Sequence, residues 1–475
     1  MKTPSAPLYR HALCLFPYHR HLSGINFFPP TGLEYVAGAL ENAVGRLSLV
    51  DMGKDDEIRT AEDLRRFIAE EDVDLVCASL NWDYNADKAV SMLKSIPEEI
   101  PLVIGGQTAT KRVEALLGDF PNLKAVVRGE GEETIVEFAE GKPLSSIRGL
   151  SYREDGKFVH NENRPLPPAG DLPPPDRGLR RCRYRVDTLG LPLLRGNFDA
   201  VLSSRGCPFN CKFCTFSLNP LGQKRRYSSR PVESVIEELE GVEAEYVIFS
   251  DDYFFAEPKR TERLCREIVR RGLQRNYIVN ARLDAARRPS MLEAAREAGV
   301  KILLLGVESP TDRILKQLNK GITREQIRRY MPVIRSIGFF NHGYFIYGNL
   351  GETEAEMMEI PRFARELGLD SITLSKLRAE EFSPIHEDVA NTPGAWLGST
   401  GFVYQEGLDR KELKRIGKAM QRDFYSPDQL ARIARKAIEM DLLKIFDIPR
   451  LTALLPFLLW AFAKRRLAHR RAKKA

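Results

Sequence analysis

The segment Arg205-Gly206-Cys207-Pro208-Phe209-Asn210-Cys211-Lys212-Phe213-Cys214 carries the most legible chemistry in this chain. Its three cysteines are spaced C-x3-C-x2-C. Thiolates this close together bind three corners of a 4Fe–4S cube and leave the fourth iron without a protein ligand. An iron with an open position acts on what it binds, whereas a fully capped cluster chiefly carries electrons. Two other chemistries use clustered cysteines. A closed zinc site needs a fourth ligand, and the nearest histidines, His160 and His342, lie outside zinc-finger spacing. A disulfide framework needs paired cysteines at high density in a secreted chain. Here there are 7 in 475 residues, with no secretory signal expected at the start. Cys14 and Cys77 sit inside apolar, strand-like runs and read as small core residues.

The cysteines need a frame. From about residue 196 to 380, short apolar runs alternate with charged stretches of helical period. Strands are expected at 199–204, 246–250, 277–281, 302–307, 343–347 and 371–374, and helices at 233–240, 258–271, 290–298, 324–337 and 354–367. Six β/α units in a row imply a parallel sheet covered by helices. Six strands fall short of the eight that close a barrel, so an open (β/α)6 partial barrel is expected. The cysteine segment follows its first strand. Ligands of parallel sheets gather at the carboxyl ends of the strands. Those ends carry Ser250-Asp251-Asp252, Asn280 and Arg282, Gly306-Val307-Glu308-Ser309, and Gly348-Asn349-Leu350-Gly351-Glu352-Thr353. A carboxylate such as Asp251 at such an end also serves as a helix N-cap. Tyr253, His342, Tyr344 and Tyr347 read equally as pocket lining or as structural residues; alternation along a strand turns at most half of its residues to a cavity.

The first 150 residues hold a second α/β unit. Strands are expected at 11–16, 46–50, 75–80, 102–104 and 125–127, separated by helices at 33–42, 61–70, 86–93 and 113–117. This is a five-stranded, doubly wound parallel pattern. Its glycine-bearing turns are Ile104-Gly105-Gly106-Gln107-Thr108-Ala109-Thr110 and Arg128-Gly129-Glu130-Gly131-Glu132-Glu133-Thr134. Neither is G-x-G-x-x-G or a P-loop, so neither a dinucleotide nor a nucleoside triphosphate is indicated. The glycines let backbone approach a ligand or simply make tight turns.

Four segments are expected: the first α/β unit at 1–145, a connection at 146–195, the partial barrel at 196–385, and a helical C-terminal region at 386–475. The connection combines a hairpin around Asp155-Gly156 with the stiff Pro165-Leu166-Pro167-Pro168 and Leu172-Pro173-Pro174-Pro175 runs. Helices at 411–421 and 427–440 precede a 13-residue apolar run at 451–463, too short to span a bilayer. The basic tail behind it holds seven Lys/Arg and accounts for the whole formal charge of +7. The body is therefore neutral, and the charge gives no reason to expect a nucleic-acid groove. Apolar run and basic tail together read either as a peripheral membrane anchor or as a packed helix with a solvated tail. No fixed-period repeat is present, and the free thiols imply a reducing cytosol.

At the cysteine segment, with Phe213 before the last cysteine, the chain resembles the radical S-adenosylmethionine (SAM) superfamily. The resemblance implies that Cys207, Cys211 and Cys214 hold the cluster and that SAM chelates its open iron. Reductive cleavage would then give a 5'-deoxyadenosyl radical. It also implies SAM contacts at Ser250 and Asp251 (amino group), Arg282 (carboxylate), Glu308 (ribose) and Gly348 (adenine). The family often has a Gly-Gly-Glu-like segment where Ser250-Asp251 stands. The motifs at residues 29–37, Ser79-Leu80, Gly105-Gly106 and 129–132 look like the cobalamin-binding domain fused ahead of many radical SAM domains. That likeness implies Ser79, Gly105, Gly106 and Thr108 along the nucleotide tail, and Gly129 and Glu130 near the corrin. His19-Arg20-His21-Leu22-Ser23-Gly24 is H-x-H-x-x-G where cobalt-ligating domains have D-x-H-x-x-G, which makes His21 a candidate cobalt ligand.

The implied enzyme is a cobalamin-dependent radical SAM methyltransferase. It would act on an unactivated carbon of a hydrophobic, lipid-like or natural-product-like small molecule, with electrons from a flavodoxin- or ferredoxin-type reductant. It would be cytoplasmic, with any membrane contact peripheral, at the inner face. Oxidative cyclisation or rearrangement with the same cofactors is the second reading. A non-catalytic cobalamin or iron–sulfur sensor is the third.

Overall fold

The computed structural model describes residues 6–18, 28–83, 85–185, 187–188, 191–192, 196–216 and 218–444. His21 and the 451–475 tail lie outside the described residues.

The most apolar runs of the first unit form strands covered on both faces. β1 (His11–Phe16) and β3 (Leu75–Ser79) are buried at every position, as strands between two helical layers must be. They run parallel with β2 (Arg46–Asp51), β4 (Leu102–Gly105) and β5 (Leu123–Val127) in the order 2-1-3-4-5. Helices α1 (Thr31–Leu40) and α6 (Glu132–Ala139) pack Leu33, Ala37, Leu40, Ile135 and Phe138 on one face. On the other face, α2 (Ala61–Glu70), α3 (Ala86–Leu93) and α5 (Val113–Asp119) pack Leu64, Phe67, Met92, Leu93, Leu116 and Leu117. A short α4 (Gln107–Lys111) follows β4 directly. α2 starts where it does because Thr60 and Asp63 close a capping box. The order reverses between β1 and β3, which opens a crevice at the carboxyl ends of the strands.

The hairpin expected in the connection belongs to this sheet instead. β6 (Leu150–Glu154) pairs antiparallel with β5, and β7 (Lys157–His160) with β6. The open edge of β5 supplies the unpaired backbone groups, and Leu150 and Tyr152 bury themselves in the sheet's core. The connection that follows is bound on both sides. Arg180 bridges to Leu49 of β2 through its backbone, and its guanidinium takes Glu34 at 2.6 Å and Asp199 at 2.8 Å. Arg177 holds Asp199 and Glu238, each at 2.8 Å.

The second sheet is the open six-stranded barrel. Phe198–Val201, Tyr246–Phe249, Asn276–Ala281, Val300–Glu308, Phe340–Tyr347 and Ser371–Lys376 pair in sequence order, all parallel. Helices Val232–Glu240, Pro258–Arg270, Pro289–Glu297, Arg324–Ile337 and Glu354–Glu366 cover the outside, the last two started by Thr-x-x-Gln and Thr-x-x-Glu capping boxes. Alternation divides the strand residues. Val279, Leu303, Leu305 and Phe345 meet the helices, while Tyr246, Ile278, Ile302 and Leu304 belong to a separate cluster on the inner face. The inner face of the last two strands is polar. His342 bonds Ser371 Oγ at 2.7 Å through Nδ1 and Thr373 Oγ1 at 3.0 Å through Nε2, and Tyr344 stands edge-on to its ring. Helix Arg410–Phe424 adds Leu413, Ile416, Met420 and Phe424 to the barrel core, with Gly417 beneath Tyr347. Helix Pro427–Glu439 follows it. No helix among the described residues is long and apolar enough to cross a membrane.

Candidate functional site

The first barrel strand ends at Val201, and the chain then turns through Ser203–Arg205 into the cysteine loop. Asp251 fixes that turn. Its buried carboxylate accepts from Ser203 N–H at 2.7 Å, Ser203 Oγ at 2.6 Å and Ser204 Oγ at 2.5 Å. Burial raises its pKa against those donors. Both oxygens are therefore engaged by the turn that follows the first strand. Its neighbour Asp252 accepts from Gly206 N–H at 2.9 Å, and burial pushes its carboxyl up to about 6. Gly206 is needed where it stands. Its φ is +82°, and a Cβ there would lie 2.5 Å from the carbonyl oxygen of Arg226. Ser250, half-buried at the end of the second strand, donates its N–H to Val201 O at 2.9 Å.

Cys207, Cys211 and Cys214 are all reduced and all partly exposed. Burial raises the Cys207 thiol to about 11, partly offset by the Phe209 backbone and by Arg282. Arg282, from the end of the third strand, covers the loop. Its guanidinium stacks on Phe209 at 3.6 Å, and Nη1 points at Cys211 Sγ at 3.7 Å. Nη2 donates to Lys320 O at 2.6 Å, while the buried Nε stands 3.4 Å from Asp284 Oδ1. Lys320 Nζ in turn donates to Glu308 at 2.8 Å, a buried pair, and stands 6.0 Å from the Phe213 ring. Glu308 ends the fourth strand with φ +67°, a conformation that costs a non-glycine residue of order 1–3 kcal/mol and is held only by surrounding structure. Gly348 lies further off, against Leu413. Its loop joins the group through an apolar cluster that packs Ile346 and Leu350 with Ile314, Leu318 and Phe213.

In the first unit, Ser79, Gly105, Gly106 and Thr108 converge at the ends of β3 and β4. Asn81 braces them by donating to Ser79 Oγ at 2.9 Å and accepting from Gln107 N–H at 3.2 Å. Gly106 has φ +104°, and a Cβ would meet Leu80 O at 2.6 Å. Thr108 Oγ1 donates to Asp83 at 3.1 Å, and Asp83 also binds Lys111 and Arg378, the latter from beyond the last barrel strand. Gly129 faces Leu221, Asn219 and Gln223 of the loop after the cysteines. Glu130 is held by two cations. Arg205 donates to it at 2.8 Å and to Glu132 at 2.6 Å, and Arg225 stands 3.4 Å away. Burial still raises the Glu130 pKa, and the two carboxylates raise that of Arg205. The carboxyl ends of the two sheets therefore face one another.

Arg205, Asn81 and Lys320 are the site residues that sequence reasoning did not assign, and Asp252 was noted only within its strand-end segment. Of the first three only Arg205 carried a signal, as the residue opening the cysteine motif.

The donor set fits the implied cofactors. Among the described residues, no three His, Cys, Asp or Glu side chains converge on a single-ion site. A cube several ångströms across takes its thiolates from separated corners, as a C-x3-C-x2-C loop offers them. The Arg282 guanidinium, with Nη1 3.7 Å from Cys211 Sγ, suits an anionic ligand beside the sulfurs. Small residues and hydroxyls at the ends of β3 and β4 suit a nucleotide tail laid across a crevice.

The family comparisons agree. Residues 201–364 match the radical SAM superfamily and residues 26–139 the B12-binding domain. An uncharacterized methyltransferase from Pyrococcus horikoshii is 33% identical over 354 residues, 72% of this chain and 74% of that one. The anaerobic magnesium-protoporphyrin IX monomethyl ester cyclase of Rubrivivax gelatinosus is 25% identical, over 77% of this chain and 67% of that one. The radical SAM methyltransferase TsrM from Kitasatospora setae, solved with cobalamin and a 4Fe–4S cluster bound, has the same fold, with a TM-score of 0.65 at 19% identity over 82% of this chain and 77% of that one. This chain belongs to the cobalamin-binding branch of the radical SAM superfamily, and its cofactors are a 4Fe–4S cluster, SAM and cobalamin.

Proposed function

We propose that this enzyme methylates an unactivated carbon of a hydrophobic, lipid-like or natural-product-like small molecule held between the two facing sheets. One observation carries the reading: Arg205, which opens the cysteine motif, is bound to Glu130 and Glu132 at the strand ends of the cobalamin-binding unit. The two cofactor units thus address one cleft, and relatives named as methyltransferases support methyl transfer. When bound, the cluster with SAM supplies hydrogen-atom abstraction and the corrinoid supplies a methyl group.

The chain's own residues do the rest. Cys207, Cys211 and Cys214 hold the cluster, and Arg282 offsets thiolate charge beside Cys211. Phe213 packs against it, and Ser250, Arg282, Glu308 and the Gly348 loop bound the space for SAM. Ser79, Gly105, Gly106 and Thr108 take the nucleotide tail, and Gly129 lets backbone approach the corrin. Asp251 and Glu130 position the loops. The inner face of the barrel has an apolar wall of Tyr246, Ile278, Ile302 and Leu304 and a polar wall of His342, Ser371 and Thr373. That division suits a mostly apolar molecule with a neutral polar end. Residues to about 160 form the cobalamin unit, 161–195 the strap, 196–385 the radical SAM unit, and 386–444 a cap.

Anaerobic reconstitution tests the reading through iron, sulfide and cobalamin per chain. About four irons and one cobalamin are expected; iron without cobalamin would overturn methyl transfer. The cyclase relative supports oxidative cyclisation as the second reading. Product mass separates them, because methylation adds a methylene and cyclisation removes hydrogen. The apolar run and basic tail support a peripheral membrane contact, which co-sedimentation with anionic vesicles, with and without 451–475, would test.

A further inference from the structure

The stretch 200–232 holds six Lys/Arg and no Asp or Glu. Four of the six have carboxylate partners: Arg205 with Glu130 and Glu132, Arg225 with Glu130, Arg230 with Glu238, and Lys212 with Asp388 at 2.8 Å. Lys224 and Arg226 are exposed, and among the described residues neither has a carboxylate within ion-pair reach.

Their position is specific. Lys224 pairs with Leu218 through its backbone and donates from Nζ to Asn210 Oδ1, inside the Cys207-x3-Cys211 loop. The carbonyl of Arg226 lies against Gly206, the residue before Cys207. Arg225, between them, turns the other way to Pro167 O and Glu130. Pro208 and Asn210 of the cysteine loop are exposed on the same stretch of surface. An open cleft of about 400 Å³ runs beside it, lined by Leu166, Pro167, Pro168 and residues 223–228.

We propose that this cationic surface around the cysteine loop is the docking site of an acidic one-electron carrier protein of flavodoxin or ferredoxin type. The proposal rests on the cluster reading above, which requires one electron per SAM cleaved. The carrier is oxidised by one electron and the cluster reduced by one. Electron transfer falls off steeply with distance, so the donor must seat against the cluster loop itself. Two exposed cations without local partners attract an acidic protein and steer its approach, whereas partnered cations would not.

The test uses the reconstituted holoenzyme and flavodoxin as the probe. Lys224→Glu with Arg226→Glu is compared with a control of equal charge change on the exposed helix Pro258–Arg270, Lys259→Glu with Arg266→Glu. We expect the double reversal at 224 and 226 to raise the Kd for flavodoxin about tenfold or more at low ionic strength, with the gap closing in high salt. SAM cleavage driven by dithionite, which needs no docking, should be unchanged in both variants. A flavodoxin Kd unchanged by the reversal, or shifted equally by the control, would overturn the docking site. Failure of the parent enzyme to cleave SAM with dithionite would instead sink the cluster reading itself.

Discussion

Replacing Arg205 by Met would test whether the two units are held in register by charge. The Arg205 side chain is 14% exposed, Glu130 22% and Glu132 6%. Removing one partner of a buried ion pair costs about 3–5 kcal/mol, because the other charge stays buried and unpaired. Glu130 keeps Arg225 at 3.4 Å, which places the loss near the lower end. Arg205 also stands 5.5 Å over the Tyr35 ring, a contact worth about 0.5–1 kcal/mol. Met keeps the apolar stem, so packing changes little. The total is about 3.5–4 kcal/mol, which is about five hundredfold in a local opening equilibrium. Hydrogen exchange followed by mass spectrometry reads it directly. Peptides covering 126–138 and 203–214 should lose about five hundredfold of protection, while β1 and β3 keep theirs. The pH dependence has a fixed sign. A carboxylate with a raised folded pKa favours the folded state below its unfolded pKa, and that contribution is lost as pH rises through the folded value. Burial already raises Glu130, and loss of the guanidinium raises it further. The variant should therefore be less impaired at pH 5 than at pH 7.5. Protection within threefold of the parent, or a defect that deepens at pH 5, would refute the electrostatic clamp.

Asp51, at the end of β2, accepts from Gly53 N–H at 2.9 Å and Tyr184 OH at 3.2 Å, and burial pushes it up to about 7. About three units above the ordinary value corresponds to on the order of 4 kcal/mol of stability, present below about pH 4 and lost as pH rises through 7. Asp51→Asn should flatten the fall in Tm between pH 5 and 8; an unchanged slope would remove Asp51 as its source. His342 is lowered to about 4 by burial, so its contribution is present above the unfolded pKa of about 6.5 and lost as pH falls toward 4. Its imidazole NMR signals should not titrate between pH 5.5 and 8, and a midpoint above 6 would contradict the buried pairing with Ser371 and Thr373. Gly106→Ala puts a Cβ 2.6 Å from Leu80 O at positive φ, at a cost of about 1–3 kcal/mol. It should weaken cobalamin binding about tenfold or more by absorbance titration, while Gly105→Ala, whose Cβ meets only Val127 at 3.5 Å, should leave stability unchanged. Equal stability of the two variants would argue against the strained turn.

Which parts were legible follows from the range of the interactions. Strands buried on both faces read as continuous apolar runs, so β1, β3 and the barrel strands were placed nearly as observed. The helices expected at 324–337 and 354–367 start as observed, where capping boxes at Thr323 and Thr353, both local interactions, fix them. The hairpin was visible around Asp155-Gly156, but nothing local said that β6 would take the edge of β5. The cysteine loop was legible because its ligands lie within eight residues of one another. Arg205 and Glu130 are 75 residues apart, and Arg378 and Asp83 are 295 apart. Such partnerships leave no trace in periodicity or spacing, so nothing in the sequence showed that Glu130 is also a clamp. Asp251 was ambiguous for a related reason. A polar residue at a strand end is equally consistent with facing the mouth and with bracing the neighbouring strand, and only the hydroxyls of Ser203 and Ser204 decide between them.

The distribution of buried charge at the interface explains why a site built from two units needs so many ion pairs. Apolar contact is non-directional and fixes no register between two sheets. Three separate polar clamps surround the facing strand ends here. Glu34 and Tyr35 of α1 meet Arg180, Arg230 and Glu238 at one place. Glu130 and Glu132 meet Arg205 at a second. Asp83 and Lys111 meet Arg378 and Glu380 at a third. One clamp fixes a distance and two fix a line, but three clamps not on one line fix an orientation. Group transfer between separately held cofactors requires reacting atoms kept at a constant separation, and misplacement by an ångström costs about a hundredfold in rate. The second clamp joins the cysteine loop directly to the turn after β5 in the first unit. A loosening there would change the distance between the two cofactors before it unfolded either unit, so SAM cleavage should survive Arg205→Met better than methyl transfer does.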